Sequence, residues 1–230
     1  MSAYEIFAEP WARYGSYYWP IAAMAFFVTA ACGLIGNYLV LRRIALVGDA
    51  ISHSVLPGIA IAFIFTGSRG GVPMFIGALV AGVATTLLIE VLHARSRLKQ
   101  DAAIGITFSA LFAIGVILVK IHGSHTDLDL DCVLFGKMDI VADGDPMFAG
   151  LPGVVLTMAG VALTVGLLIV IFFKELLVCS FDSKLAASMG INPRVVHYLL
   201  MATLSIVVVA AFVSVGAILV IAMLLSLIHI

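Results

Sequence analysis

The sequence predicts an all-α integral membrane protein, a polytopic helical bundle of about six to seven transmembrane helices. Two observations carry this. Of the 230 residues, 63% are hydrophobic and 11% charged, whereas a soluble domain is about 45–50% apolar and about 25% charged, so a water-soluble enzyme is excluded. The apolar residues also fall into runs long enough to cross a hydrocarbon core of about 30 Å, which takes roughly 20 residues of helix. The formal net charge of −1 leaves no global field to attract nucleic acid.

The runs follow one another along the chain. Trp11, Tyr14, Tyr17, Tyr18 and Trp19 precede the first of them, and amphipathic rings favour the headgroup level. Residues 1–19 therefore read as an interfacial segment on the outer face, and 20–230 as a single transmembrane domain. Its apolar stretches are Pro20–Leu41, Ile44–Phe65, Val72–His93, Ala102–Lys120, Met147–Phe173 and a long one from Val195 to the end. The last is too long for one span and divides near Phe212–Gly216, giving a sixth span and an incomplete seventh. Cys32, Cys132 and Cys179 are few and scattered, so neither a zinc knot nor a disulfide framework is indicated.

Orientation follows from Lys and Arg in short loops. One set of connections holds Arg42, Arg43, Arg95, Arg97, Lys99, Lys174, Lys184 and Arg194; the other holds Arg13, Arg69, Lys120 and Lys137. The bias places the first set in the cytoplasm and the N-terminus outside, in a multi-pass protein of the cell (inner) membrane.

Ionisable residues inside spans are costly and mark pathways. The second span carries Asp49, Ser52 and His53 at helical spacings that share one face. A carboxylate and an imidazole together suit a first-row divalent metal. Pro57 cannot bond the carbonyl of His53, which frees an oxygen beside the imidazole, while Gly48 and Gly58 would let neighbouring helices approach closely. The same pair could instead be a hydrogen-bonded couple that fixes packing, or a proton relay. Two side chains make an incomplete metal site, to be completed by waters or a second copy. Glu90 and His93 form another i, i+3 pair that snorkelling at the interface explains. His122 and His125 with Asp127, Asp129 and Asp131 form a second candidate ligand cluster on the outer side; a solvated acidic loop is the simpler reading, with charge that suits cations or a basic partner surface.

The segment Phe181–Gly190 has helix punctuation of its own. Asp182 is placed as N-cap, Leu185, Ala186 and Met189 supply an apolar face, and Gly190 with Pro193 ends it. A short helix between two spans on the cytoplasmic side is a natural plug for a groove on a soluble partner, and an ordinary interfacial helix fits the same pattern equally well. No GxxxxGK motif followed by Ser or Thr occurs, so any ATP is handled by another subunit.

The run Gly48-Asp49-Ala50-Ile51-Ser52-His53-Ser54-Val55-Leu56-Pro57-Gly58 resembles the membrane subunit of the manganese/zinc/iron ABC importers. The likeness continues through Asp101–Ile106, Asp127–Asp129, Leu134–Gly136 and Phe181–Gly190 to Val215–Val220. It implies a permease without enzymatic activity or a permanently bound cofactor, which pairs with a second permease copy or a homologous permease. Cytoplasmic ATPase subunits would bind the ATP, and an extracytoplasmic metal-binding protein would deliver Mn, Fe or Zn, with manganese or iron favoured. Asp49 and His53 are the residues implied to meet the metal, with Ser52, Pro57, Gly48 and Gly58 shaping the path. Phe181, Asp182, Leu185, Ala186, Met189 and Gly190 match the coupling helix that seats on the ATPase. Family members continue past the last motif into a further span, so the final residues here read as a truncation. A stand-alone proton-coupled carrier, or a membrane haem or redox protein with histidine ligands, are the alternatives outside that family.

Overall fold

A computed structural model of the chain describes residues 9–44, 46–67, 71–122, 146–148 and 151–225. Within these, six helices are long and apolar enough to cross a membrane: Tyr17–Leu41, Leu46–Thr66, Val72–Arg95, Gln100–Ile121, Gly153–Ile171 and Pro193–Phe212. The full helices are α1 (Glu9–Leu41), α2 (Leu46–Thr66), α3 (Gly71–Arg95), α4 (Gln100–His122), α5 (Gly153–Ile171), α6 (Phe173–Phe181), α7 (Ser183–Ser188), α8 (Pro193–Val215) and α9 (Ala217–Leu225). The predicted all-α polytopic bundle is thus what forms, with one small addition. Pro146–Phe148 pairs antiparallel with Leu151–Pro152 just before α5, so the fifth span starts at Gly153 rather than Met147. Pro152, with no N–H, occupies the N-cap of that helix in extended conformation.

Residues 9–19 and the first span share one helix, since α1 runs unbroken through Pro20. It ends where Arg43 turns to φ +58 and Ile44 donates to the Leu39 carbonyl at 3.0 Å. The division of the last apolar stretch falls where the sequence placed it: Gly216 at φ +82 separates α8 from α9, a conformation glycine adopts without the Cβ clash other residues meet. The cytoplasmic loop expected after the fifth span contains an additional helix, α6, which precedes the short α7.

Helices α2 and α8 are the centre of the bundle. In their spanning windows 61% and 67% of residues are buried, against 17% in α5. The main core joins Met24, Val28 and Ile35 of α1 to Ile51 of α2, Met158 of α5 and Leu204 and Val208 of α8. The α2–α3 contact is especially close. Gly58 and Gly77 face each other, and a Cβ on Gly77 would lie 2.5 Å from the Ala62 Cβ. Both helices carry a small-xxx-small spacing there, Gly58 with Ala62 and Gly77 with Ala81, the pattern that lets backbones touch where lipid removes any hydrophobic drive for association. Further along, Thr85 donates to the Ser54 hydroxyl at 2.7 Å in a buried bond between the two helices.

These contacts set the register. Gly58 meets Gly77, Ser54 meets Thr85, and Gly82 lies beside Ile51 and Ser205, so α3 runs antiparallel to both α2 and α8. Asp49, Glu90 and His197 consequently lie toward the same end of the bundle, the end that also holds Arg42, Arg95 and Arg194.

Candidate metal path and partner-docking segment

Asp49 and His53 occupy the first two turns of α2, one turn apart. His53 Nε2 lies 3.3 Å from Asp49 Oδ1, and the side chains retain 23% and 36% of their exposure respectively, so the pair borders an accessible face without being freely solvated. The imidazole is held from the other side by α4, with ring centroids 5.0 Å from Phe108 and 5.6 Å from Phe112. The two phenyl rings stack on each other 6.1 Å apart. His53 Nδ1 is buried and has no hydrogen-bond partner. Among the described residues the Arg42 Nη2 and Thr107 Oγ1 atoms are likewise buried without a partner.

A separation of 3.3 Å suits an Asp–His hydrogen bond and equally the edge between two ligands of one metal ion. Ligand bonds of about 2.0–2.2 Å meeting at a tetrahedral angle put the donor atoms roughly 3.3–3.6 Å apart. No third ligand from His, Cys, Asp or Glu joins them among the described residues. Among the described residues the ring contacts of His53 are to Phe108 and Phe112.

Ser52, Gly48, Gly58 and Pro57, expected from the sequence to shape a path, divide by what they touch. The Ser52 hydroxyl donates to the Gly48 carbonyl at 3.0 Å, so it is engaged by its own helix. Gly48 faces α9, where a Cβ would come 2.9 Å from the Leu224 Cδ1. Gly58 faces α3, as described above. Pro57 is packed against α4 at Gly115, whose Cβ, if present, would lie 2.7 Å from the Pro57 Cδ and 2.9 Å from its nitrogen. The irregular point of α2 is therefore seated in a fitted glycine notch, one turn past His53.

Phe181–Gly190 forms the capped helix that the spacing predicts. The Asp182 carboxylate accepts from the backbone N–H of Lys184 at 2.8 Å and of Leu185 at 3.1 Å; Gly190 follows the helix at φ +84, and Asn192 caps α8 by accepting from Arg194 N–H at 3.1 Å. The apolar residues do not share one face. Phe181, Leu185 and Met189 are exposed, whereas Ala186 is fully buried, so Ala186 seats the helix and the other three form the outward surface. Arg42, at the end of α1, donates from Nε to the Ser180 hydroxyl at 3.2 Å. Burial holds its guanidinium below its ordinary pKa, and its Nη2 is buried without a partner. Replacing Asp182 by Ala should cost about 1 kcal/mol of α7 stability and speed amide exchange over Leu185–Met189 about fivefold; unchanged exchange there would mean that tertiary contacts, not the cap, hold the helix.

Glu90 finds its partner away from its own helix. Its Oε2 lies 3.3 Å from His197 Nε2 on α8, while His93 Nδ1 approaches the Leu98 carbonyl at 3.3 Å. The sequence reading grouped Glu90 with His93 and missed His197, which is 107 residues away and carries no local signal. Of the outer-loop cluster, His125, Asp127, Asp129 and Asp131 lie outside the described residues, as does Cys132.

Residues 17–226 match the model of the ABC 3 transport family. The chain belongs to that family. It is 43% identical over 208 residues to the manganese transport system membrane protein MntD of Bacillus subtilis, a match covering 89% of this chain and 70% of that protein. It is 41% identical to the zinc transport system membrane protein TroD of Treponema pallidum over 90% of this chain, and there it spans only 57% of its relative. Among solved structures it resembles PsaBC from Streptococcus pneumoniae in complex with Fab, with TM-score 0.75 and 37% identity over 96% of this chain and 73% of that one. The family membership and the six apolar helices together make this a multi-pass membrane protein of the transport class.

Proposed function

We propose that the chain is the membrane-spanning subunit of an ATP-driven importer of a divalent transition metal, with Asp49 and His53 as its contribution to the metal path. The observation that carries this reading is the Asp49–His53 pair, set at a spacing that suits two ligands of one ion on a helix flanked by Gly48 and Gly58. One carboxylate and one imidazole accept manganese, iron and zinc alike. The carboxylate leans toward the harder ions, and the relative named for manganese gives the same direction. The remaining ligands come from water, from a second permease copy or from a homologous permease. An extracytoplasmic metal-binding protein delivers the ion on the side where the N-terminus lies.

The energy source is a separate cytoplasmic ATPase pair, docked on the outward surface of Phe181, Leu185 and Met189. Two connections carry movement of that segment inward. Arg42 ties α6 to the end of α1, immediately before the helix with the metal ligands, and α8 begins directly after Gly190. Alternating access requires the metal to bind one conformation more tightly than the other, while ATP shifts the balance between them.

Elemental analysis tests the proposal in cells deprived of their own manganese and zinc importers and supplied with this chain, an ATPase subunit and a binding protein. Accumulation of one metal that needs the ATPase supports it and names the cargo. Accumulation without the ATPase would establish the stand-alone proton-coupled carrier instead. Charge reversal at Asp182 is expected to leave metal-stimulated ATP hydrolysis uncoupled from uptake, and normal coupling in that variant would reduce α7 to an interfacial helix.

A further inference from the structure

At the end of the bundle where α3 stops and α8 begins, an open cavity of about 700 Å³ lies between the two helices and the start of α4, bordered by Arg95, Arg194, His93 and Gln100. Its one lining carboxylate, Glu90, is engaged by His197, so the two guanidinium groups leave the opening with net positive charge. A second cavity of about 240 Å³ shares Glu90, His197 and Tyr198 with the first and continues along α3 and α8 between Val83, Leu87, Met201 and Ala202. The first has a mixed lining that carries both arginines, and the second is almost wholly apolar. Their junction is the Glu90–His197 pair, one to two turns inside the helix ends.

A metal station is a poor fit to this place, since two arginines repel a cation and the carboxylate is already paired. A basic mouth that leads into an apolar cleft at the end of membrane-spanning helices matches an amphiphile with an anionic head. We infer that the opening holds the phosphate head of an anionic phospholipid between Arg95 and Arg194, with part of an acyl chain lying in the cleft against Leu87, Met201 and Ala202. Guanidinium groups bind phosphate oxygens in forked geometry, and lipid is the source of that phosphate because the cleft beyond it is apolar. The site rests on the membrane character of the chain and not on its cargo. Occupancy wedges lipid beside α8 just after the segment proposed to meet the ATPase, so the lipid would act on that junction.

Native mass spectrometry of the purified full chain, with phosphatidylglycerol or phosphatidylcholine of identical acyl chains, tests this. The expected result is roughly tenfold more retained phosphatidylglycerol than phosphatidylcholine, a preference lost in the Arg95→Gln/Arg194→Gln double variant. Both side chains are exposed, so the fold does not depend on them. Ala202→Trp, which fills the cleft and leaves the arginines in place, should also reduce phosphatidylglycerol retention, and glycerol 3-phosphate at the same concentration should not be retained. Equal retention of the two lipids, a preference that survives the double variant, or retention of glycerol 3-phosphate equal to that of the lipid would each overturn the inference, the last by making the opening a site for free phosphate.

Discussion

Asp49→Ala and His53→Ala are each expected to reduce metal accumulation by at least tenfold, to background, while the protein still inserts and the Asp49 variant keeps its melting temperature. The size follows from ligand chemistry. Removing a group that only orients a metal ligand costs about 10–100-fold in affinity, and loss of a ligand should not cost less. The Asp49 side chain keeps 36% of its exposure, so its truncation opens little buried space and leaves the apolar core of α2 at Val47, Ile51 and Val55 intact. His53, by contrast, packs on Phe108 and Phe112, and its loss should also lower melting. The competing explanation is a structural couple, and it predicts the reverse pattern. Deleting one member of a hydrogen-bonded pair leaves its partner unsatisfied at about 1–3 kcal/mol, so melting would fall and metal affinity would not. Asp49→Asn separates the two cleanly, because the amide can still hydrogen-bond His53 but loses the charge that holds a cation. Uptake lost with melting preserved identifies the ligand; uptake preserved would remove Asp49 from the path.

Much of this arrangement was legible because it is written in local spacing. The three- and four-residue intervals among Asp49, Ser52 and His53 place them on one helical face whatever surrounds them. Gly48 and Gly58 announced close neighbours, which proved to be Leu224 and Gly77. Asp182, Gly190 and Pro193 delimit a short helix by capping chemistry that needs no tertiary partner. Features that depend on which helices become neighbours were not legible. The phenylalanines flanking His53 sit on α4 and look like any lipid-facing aromatic residues until the fold brings them to the imidazole. Glu90 was grouped with His93 because both lie on one helix, whereas its partner came from α8. Ala186 shows the limit even inside a well-read segment, since helical periodicity grouped it with Leu185 and Met189 and the packing turned it inward.

Gly58→Val and Gly77→Val should be the most destabilising substitutions in the bundle, each costing about 3 kcal/mol or more and lowering metal uptake with both metal-path side chains untouched. Neither glycine is needed for its backbone freedom, as both lie within regular helices. The requirement is space: a Cβ on Gly58 would lie 2.5 Å from the Ala81 Cβ, and one on Gly77 would lie 2.6 Å from the Gly58 carbonyl oxygen, against about 3.5–4.0 Å for a relaxed carbon contact. Backbone on one side cannot swing away as a side chain would, so α2 and α3 must separate. Separation breaks the buried Thr85–Ser54 hydrogen bond and shifts the helix that carries Asp49 and His53 relative to α4. Gly160 is the control, because a Cβ there meets nothing within 4 Å, and Gly160→Ala should be neutral or gain up to about 1 kcal/mol from helix propensity. Thermal unfolding of the purified variants, read beside their uptake, distinguishes this from ligand loss: the glycine variants should lose stability and transport together, the Asp49 variant transport alone. Gly58→Val melting like the parent chain would show that α2 and α3 do not pack through these glycines, and the register that places Asp49 and His53 would have to be redrawn.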